Sequence, residues 1–202
     1  MTLQKSAPIS RTRRSRIGGF SMVELAVSMT VLLILTAIAI PSLMQSFRTY
    51  QLNDAASRLS DMLKLTRFEA VRRNKPVCFL MQQNPAPDWI FGTDSTCSGT
   101  LDTNGKQQVI TGFASILPAG APPSSASITS TLGAASALTT LSSNPASVAF
   151  DARGAVSPLT AYILYVGSAA NPEFGYRAVI LLPSGATQIW TAPSGGPWQR
   201  VG

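Results

Sequence analysis

The sequence predicts an α+β fold, in which a long N-terminal α-helical spine packs on a mostly antiparallel β-sheet domain. Two patterns predict it. An uncharged apolar run from Leu25 to Ile40 passes into an amphipathic stretch with helical spacing. After Pro76 the chain changes to short segments rich in β-branched and aromatic residues, separated by Gly, Pro, Asn and Asp. A sheet covering the apolar stripe of the helix is the natural way to bury both, and the length after the spine begins suits one core.

The elements follow in order. Residues 1–19 form a basic leader: Lys5, Arg11, Arg13, Arg14 and Arg16 occur with no acid, which holds this end on the cytoplasmic side while the next segment inserts. Extended back to Phe20 and forward to Leu43, the apolar run reaches roughly the 20 residues that cross a bilayer as a helix. A single span with the C-terminus outside is the implied topology. Other readings compete: a secretory signal cut at Ala37-Ile38-Ala39, twin-arginine export on Arg13-Arg14, which a strongly apolar helix of this length fits poorly, and a plain membrane anchor. The plain anchor leaves Glu24 unexplained. A carboxylate inside a membrane helix costs about 2.5 to 3.5 kcal/mol, so it needs a partner. Cleavage between Gly19 and Phe20 would supply one, because the new α-amino group is positive and lies at the same depth, in the same molecule or in an adjacent copy.

Beyond the span, Leu52, Ala55, Leu59, Met62, Leu63, Thr66, Ala70 and Val71 keep i, i+3, i+4 spacing, with Arg58, Asp61, Lys64, Arg67 and Arg72 largely off that stripe. The helix should end near Asn74-Lys75, because Pro76 biases the preceding residue out of the helical region. The spine thus occupies 20–75, membrane-spanning in its first half, and residues 76–202 form a β-rich domain. Its expected strands are Val77–Met81, Asp88–Phe91, Gln107–Phe113, Ser147–Phe150, Ala161–Val166, Tyr176–Leu182 and Thr187–Thr191. Asp151-Ala152-Arg153-Gly154 and Leu182-Pro183-Ser184-Gly185 read as turns. Residues 114–146 lie in a stretch without any charge and are rich in Ala, Ser, Thr, Gly and Pro. They read as a flexible, O-glycosylated loop, or as one or two weak edge strands on the partial alternation of Ser127-Ile128-Thr129-Ser130-Thr131-Leu132. A loop with edge-strand character is the expectation. Trp89 and Trp190 read as core or sheet-edge aromatics rather than stacking platforms. Trp198 falls in a Gly- and Pro-containing tail with little structure to bury it.

Composition narrows the chemistry. Lys plus Arg number 16 against 9 Asp plus Glu, and the leader holds five of these cations, so its removal leaves 11 against 9 and a net charge of +2. Bulk charge therefore gives no broadly basic nucleic-acid surface. Without histidine, the usual Ser-His and Cys-His nucleophile pairs are excluded. Two cysteines alone do not complete a zinc shell. No metal, cofactor or catalytic residue is implied. Cys78 and Cys97 both lie outside the membrane on this topology; in an oxidising compartment they read as a disulfide, contributing roughly 3 kcal/mol for a loop of about 20 residues.

The junction Gly18-Gly19-Phe20-Ser21-Met22-Val23-Glu24-Leu25 resembles the type III signal of type IV pilins and type II secretion pseudopilins. The resemblance implies the pilin fold, cleavage after Gly19 by a prepilin peptidase, N-methylation of Phe20, and pairing of Glu24 with a neighbour's terminus during assembly. It also matches the family's helix-breaking proline to Pro41. Asn74-Lys75-Pro76-Val77, Asp88-Trp89-Ile90-Phe91 and Phe150-Asp151-Ala152-Arg153-Gly154, followed by a closing strand, turn and strand, resemble the GspH/FimT group of minor pilins and pseudopilins. That group implies other major and minor pilins or pseudopilins as partners, the bacterial inner membrane before assembly with the C-terminal domain in the periplasm, and a place in a pilus, at its tip or initiation complex, or in a pseudopilus. Some FimT-type members bind DNA through a Gly-Arg-x-Arg motif. The corresponding turn here is Gly185-Ala186-Thr187-Gln188, with both arginines missing, which counts against DNA. The remaining candidate DNA contacts are Arg72, Arg73, Lys75, Arg177 and Arg200. The first three read better as a solvated helix C-terminus favoured by the helix dipole.

Overall fold

The structure is a computed structural model describing residues 19–83, 86–133 and 138–201. The leader cations and Gly18 lie outside the described residues. In chain order the elements are α1 (Met22–Arg73), β1 (Val77–Gln83), β2 (Trp89–Asp94), β3 (Gln107–Ile110), β4 (Ser115–Leu117), α2 (Ala126–Leu132), β5 (Thr139–Thr140), β6 (Ala146–Phe150), β7 (Val156–Ser157), β8 (Tyr162–Gly167), β9 (Tyr176–Leu181), β10 (Thr187–Ala192) and β11 (Gln199–Arg200). A 3₁₀ turn, Pro172–Phe174, precedes β9. The chain divides into two compact units, the first ending at Ser42 and the second starting at Leu43.

In the first unit, Ser21 opens α1 as its N-cap: the Val23 N–H donates to the Ser21 hydroxyl at 3.4 Å and the Leu25 N–H to its carbonyl at 3.0 Å. Hydroxyls of Ser28, Thr30 and Thr36 donate to the carbonyls of Glu24, Ala26 and Leu32 at 2.7, 2.8 and 2.7 Å. Each is thereby satisfied inside the helix, as an apolar surrounding demands. From Phe20 to Ile40 the large apolar side chains are 50 to 89 % exposed. No described residue of this unit covers them.

In the second unit the helix stripe is buried at Leu52, Ala55, Ala56, Leu59, Met62, Leu63, Thr66 and Ala70, whereas Val71, expected on the stripe, is exposed. The helix stops in a Schellman arrangement. Asn74 is left-handed at φ 49°, its N–H bonds the Val71 carbonyl, and the Lys75 N–H bonds that of Ala70. Pro76 then prevents continuation.

Two sheets follow, where the sequence suggested one. The first has the order β3-β2-β1-β6-β7, all neighbours antiparallel. The second runs β11-β10-β9-β8-β4, antiparallel throughout, with β5 added parallel to β8. The helix stripe shares one apolar cluster with Phe79, Met81, Phe91, Val148 and Phe150 of the first sheet and Leu164, Val166, Val179 and Leu181 of the second. The alternate residues of the second sheet, Ile163, Tyr165, Tyr176, Ala178, Ile180 and Trp190, build a separate cluster on its opposite face with Leu117, Ile128 of α2 and Trp198. Strand side chains alternate faces, so β9, buried at every position, feeds both layers.

This second layer corrects three expectations. One core was anticipated; the second sheet is sandwiched between two. Ser127–Leu132 is helical, not an edge strand, because Ile128 and the partly buried Leu132 are four residues apart and reach the sheet from one helix face. Trp198 is no loose tail residue: it is 4 % exposed, its indole N–H donates to the Pro123 carbonyl at 3.2 Å, and its backbone N–H to the Ser127 hydroxyl at 3.2 Å. The expected strands elsewhere match observed ones within a few residues, and β4, β5, β7 and β11 are additional.

Both expected turns form and meet the helix. The Asp151 carboxylate accepts the N–H groups of Arg153 and Ala155, each at 2.8 Å, which makes it a turn residue. Arg67 Nε donates to the Gly154 carbonyl at 3.1 Å. Gly185, at φ 78°, sits against that same carbonyl and the Arg67 side chain, so a Cβ there would collide with both.

Candidate functional site

The N-terminal segment carries the residues that the sequence singled out. Phe20 is 77 % exposed, Gly19 is exposed, and Glu24 lies exposed in the first turn of α1, where an acid favours the helix dipole. Glu24 follows Phe20 by four residues and is the third residue of α1. Pro41 lies inside α1, where its missing N–H cannot bond the Ala37 carbonyl, yet α1 runs unbroken from Met22 to Arg73, so this proline does not break the helix as the resemblance implied. The helix contains a window of mean hydropathy 2.4, none of it buried, so it is long and apolar enough to cross a membrane. Chemically the arrangement offers one carboxylate, an accessible Gly19-Phe20 bond and an uncovered apolar surface.

The candidate basic contacts do not converge. At the helix C-terminus Glu69 accepts from Arg72 at 2.7 Å and from Arg73 Nε at 3.0 Å. The Arg72 hydrogen bond, opposed by burial and helped by Arg73, holds the Glu69 carboxyl below its ordinary range. Both arginines are therefore partly neutralised, leaving Lys75 exposed beside them. Sequence reasoning missed Glu69, although its i+3 and i+4 spacing to the two arginines was the available signal. Arg177 is a correction. A candidate DNA contact by sequence, it is 6 % exposed, with Nε donating to Asn53 Oδ1 at 2.6 Å and a terminal nitrogen to the Tyr176 carbonyl at 3.0 Å. Burial lowers its pKa. Asn53 precedes Arg72 by 19 helical residues, about 29 Å, so these cations form no common patch. Arg200 is exposed on the edge strand β11, opposite Trp190.

Cys78 and Cys97 form the disulfide, Cα to Cα 5.1 Å, joining β1 to the loop after β2. That loop has a second fastening that the sequence did not reveal. Asp94, 1 % exposed, accepts the Gly99 N–H at 2.7 Å and the N–H and hydroxyl of Thr96, both at 3.1 Å. Burial pushes its carboxyl up, but the bonds from Gly99, Ser98 and Thr96 outweigh that and leave it lowered. Asp102 similarly accepts from the backbone and hydroxyl of Ser95. Between this loop and the helix end lies a cleft of about 690 Å³ lined by Phe68, Glu69, Arg72, Arg73 and residues 102–106. Among the described residues no cluster of potential metal ligands occurs.

An apolar helix opening on a single carboxylate, leading to a helix packed on antiparallel sheets, defines the pilin class of structural proteins. The family model described as Type II transport protein GspH matches residues 55–185, well over half of the chain, and the chain belongs to that family, as a GspH/FimT-type pilin. A second model, the prokaryotic N-terminal methylation motif, matches residues 14–40. Among solved structures the chain is similar to the type IV minor pilin FimU of Pseudomonas aeruginosa strain PAO1 in two crystal forms. One is 18 % identical, with a TM-score of 0.47, covering 71 % of this chain and 94 % of that one. The other is 17 % identical, with a TM-score of 0.47, covering 72 % and 90 %. No curated protein matches.

Proposed function

We propose that this chain is a minor pilin that enters type IV pilus assembly, at initiation or at the tip, and is not an enzyme. It inserts once in the bacterial inner membrane with its second unit in the periplasm. A prepilin peptidase removes residues 1–19, Phe20 becomes the methylated terminus, and Glu24 pairs with the terminus of a neighbouring major or minor pilin. The observation that carries this reading is Glu24, the sole formal charge between Phe20 and Phe47, placed one turn from the Gly19-Phe20 junction that the methylation motif covers. A desolvated carboxylate is retained only where a cation meets it.

The type II secretion pseudopilin is the second reading, favoured by the family's own description. Deleting the gene and counting surface pili by electron microscopy, beside a complemented strain, separates the two. Loss of pili supports the pilus role. Normal pili with lost protein secretion would overturn it in favour of the pseudopilin. DNA capture gains nothing from the burial of Arg177 and the pairing of Arg72 and Arg73 with Glu69.

A further inference from the structure

The second unit begins with an uncovered stripe that neither core absorbs. Leu43, Phe47 and Tyr50 recur at i, i+4 and i+7, one face of α1, and their side chains are 57 to 69 % exposed. With Ser46 they line an apolar hollow of about 400 Å³. Arg48 follows Phe47 in sequence but lies about 100° further round the helix, is half-buried, and is the first formal charge after Glu24. Its guanidinium carbon stands 4.6 Å from the centre of the Phe113 ring, and a terminal nitrogen donates to Gln51 Oε1 at 3.3 Å. Among the described residues Arg48 has no carboxylate partner, and neither does Arg67, which bonds the Gly154 carbonyl, whereas Arg58, Lys64, Arg72 and Arg73 of the same helix each have one. A cation held in place by an aromatic ring and an amide is left short of an anion.

Position identifies the anion. Resting on the membrane-spanning reading above, the hydrocarbon layer ends near Leu43. At 1.5 Å per residue Arg48 then lies about 7.5 Å further out, within the headgroup layer, which adds about 5 to 7.5 Å on each side. Aromatic residues belong at that boundary, and arginine matches a phosphate by its geometry. We infer that Leu43, Phe47 and Tyr50 seat in the phospholipid interface while Arg48 binds a lipid phosphate, fixing the depth of the chain in the membrane before assembly.

The test uses the full chain in phosphatidylcholine vesicles, with and without phosphatidylglycerol. Both native cysteines are in the disulfide and no free cysteine is present, so a single introduced thiol reports its own access to a membrane-impermeant maleimide. Phe47→Cys is expected to label about tenfold more slowly than Phe68→Cys, whose parent side chain is exposed 20 helical residues after Arg48, well clear of the headgroups. Adding Arg48→Glu should speed labelling at residue 47 several-fold, more so with phosphatidylglycerol, and Arg48→Lys should largely restore protection. Val31→Cys separates the two readings. If residue 31 is protected and residue 47 labels as fast as residue 68, the interfacial seat is wrong and the span stands. If residue 31 labels freely, the span itself fails. Protection at residue 47 that vanishes when the protein is diluted in lipid would assign the stripe to a second copy and overturn the inference, as would indifference to Arg48→Glu.

Discussion

Replacing Trp198 with alanine tests whether the second apolar layer is a working core. The indole is 4 % exposed, its ring centroid lies 5.7 Å from that of Tyr165, and its N–H holds the Pro123 carbonyl. Truncating a buried tryptophan costs about 3 to 5 kcal/mol through lost transfer energy and the cavity left behind. Depriving the Pro123 carbonyl of its donor adds about 1 kcal/mol. Cavity relaxation offsets part of this, so about 4 to 5 kcal/mol is expected. In a unit of this size each kcal/mol moves the midpoint by about 2 to 4 °C, a fall of about 8 to 20 °C. Thermal unfolding of the full chain in detergent, followed by near-UV circular dichroism, measures it. Trp198→Phe keeps a ring in the layer and should lose about 1 to 2 kcal/mol. Should Trp198→Ala unfold within about 1 °C of the parent, residues 194–201 would be the undocked tail that their composition suggests, and α2 would lose its reason to be ordered.

Glu24→Ala should insert and be cleaved at near-parental levels yet be depleted from sheared filaments; normal recovery in the filament fraction would count against charge pairing. Cys97→Ser, compared with the parent by urea denaturation, should cost roughly 3 kcal/mol in the chain-entropy model for a 19-residue separation. The Asp94 bonds should nevertheless keep the 95–105 loop ordered in the folded state, so hydrogen exchange there should rise only modestly. Asp94 and Glu69 both have lowered carboxyl pKa values. Their stabilisation is complete above the unfolded values of about 3.9 and 4.3 and is lost as pH falls through the lower folded ones. Asp94→Asn should therefore lower stability at neutral pH and flatten the acid limb of a stability-versus-pH curve, and an unchanged acid limb would refute the assignment.

Legibility in the sequence followed burial geometry. The helix stripe was readable because a single face is covered, so apolar spacing and contact coincide from Leu52 to Ala70. The turn at Asp151-Gly154 was readable because its chemistry is local. The second layer was not, because the segment covering it is nearly featureless: small and polar residues hide one useful apolar face, Ile128 with Leu132. The signal lay in the partner. Tyr176–Leu182 is apolar at every position except Arg177, the mark of a strand buried on both faces, and a strand so buried requires a lid. Arg177 itself misled because charge normally marks the surface; only Asn53, 124 residues away in sequence, shows where it goes. The Asp94 loop depends on backbone donors, which no residue pattern announces.

The two units differ in where their stability resides, and on the proposed assembly that difference gives Glu24 its leverage. The second unit closes its own cores. The first leaves every large side chain from Phe20 to Ile40 at least half exposed, and at about 1.5 to 3 kcal/mol for each such side chain it requires lipid or other helices as its surroundings. Apolar area hardly distinguishes the two, since lipid tails are as apolar as leucine. Charge does distinguish them. On the proposed processing the chain's own Phe20 α-amino group offsets part of the Glu24 cost in lipid, and in a bundle a neighbour's α-amino group offsets more of it. On that proposal the step from membrane to filament is favoured by part of the about 2.5 to 3.5 kcal/mol insertion cost when a neighbour is correctly registered, and a helix shifted by one turn forfeits it. Glu24→Gln should therefore weaken register more than insertion: the variant should cross-link to neighbouring subunits at several spacings where the parent gives one, and a single unchanged spacing would show that packing alone sets the register.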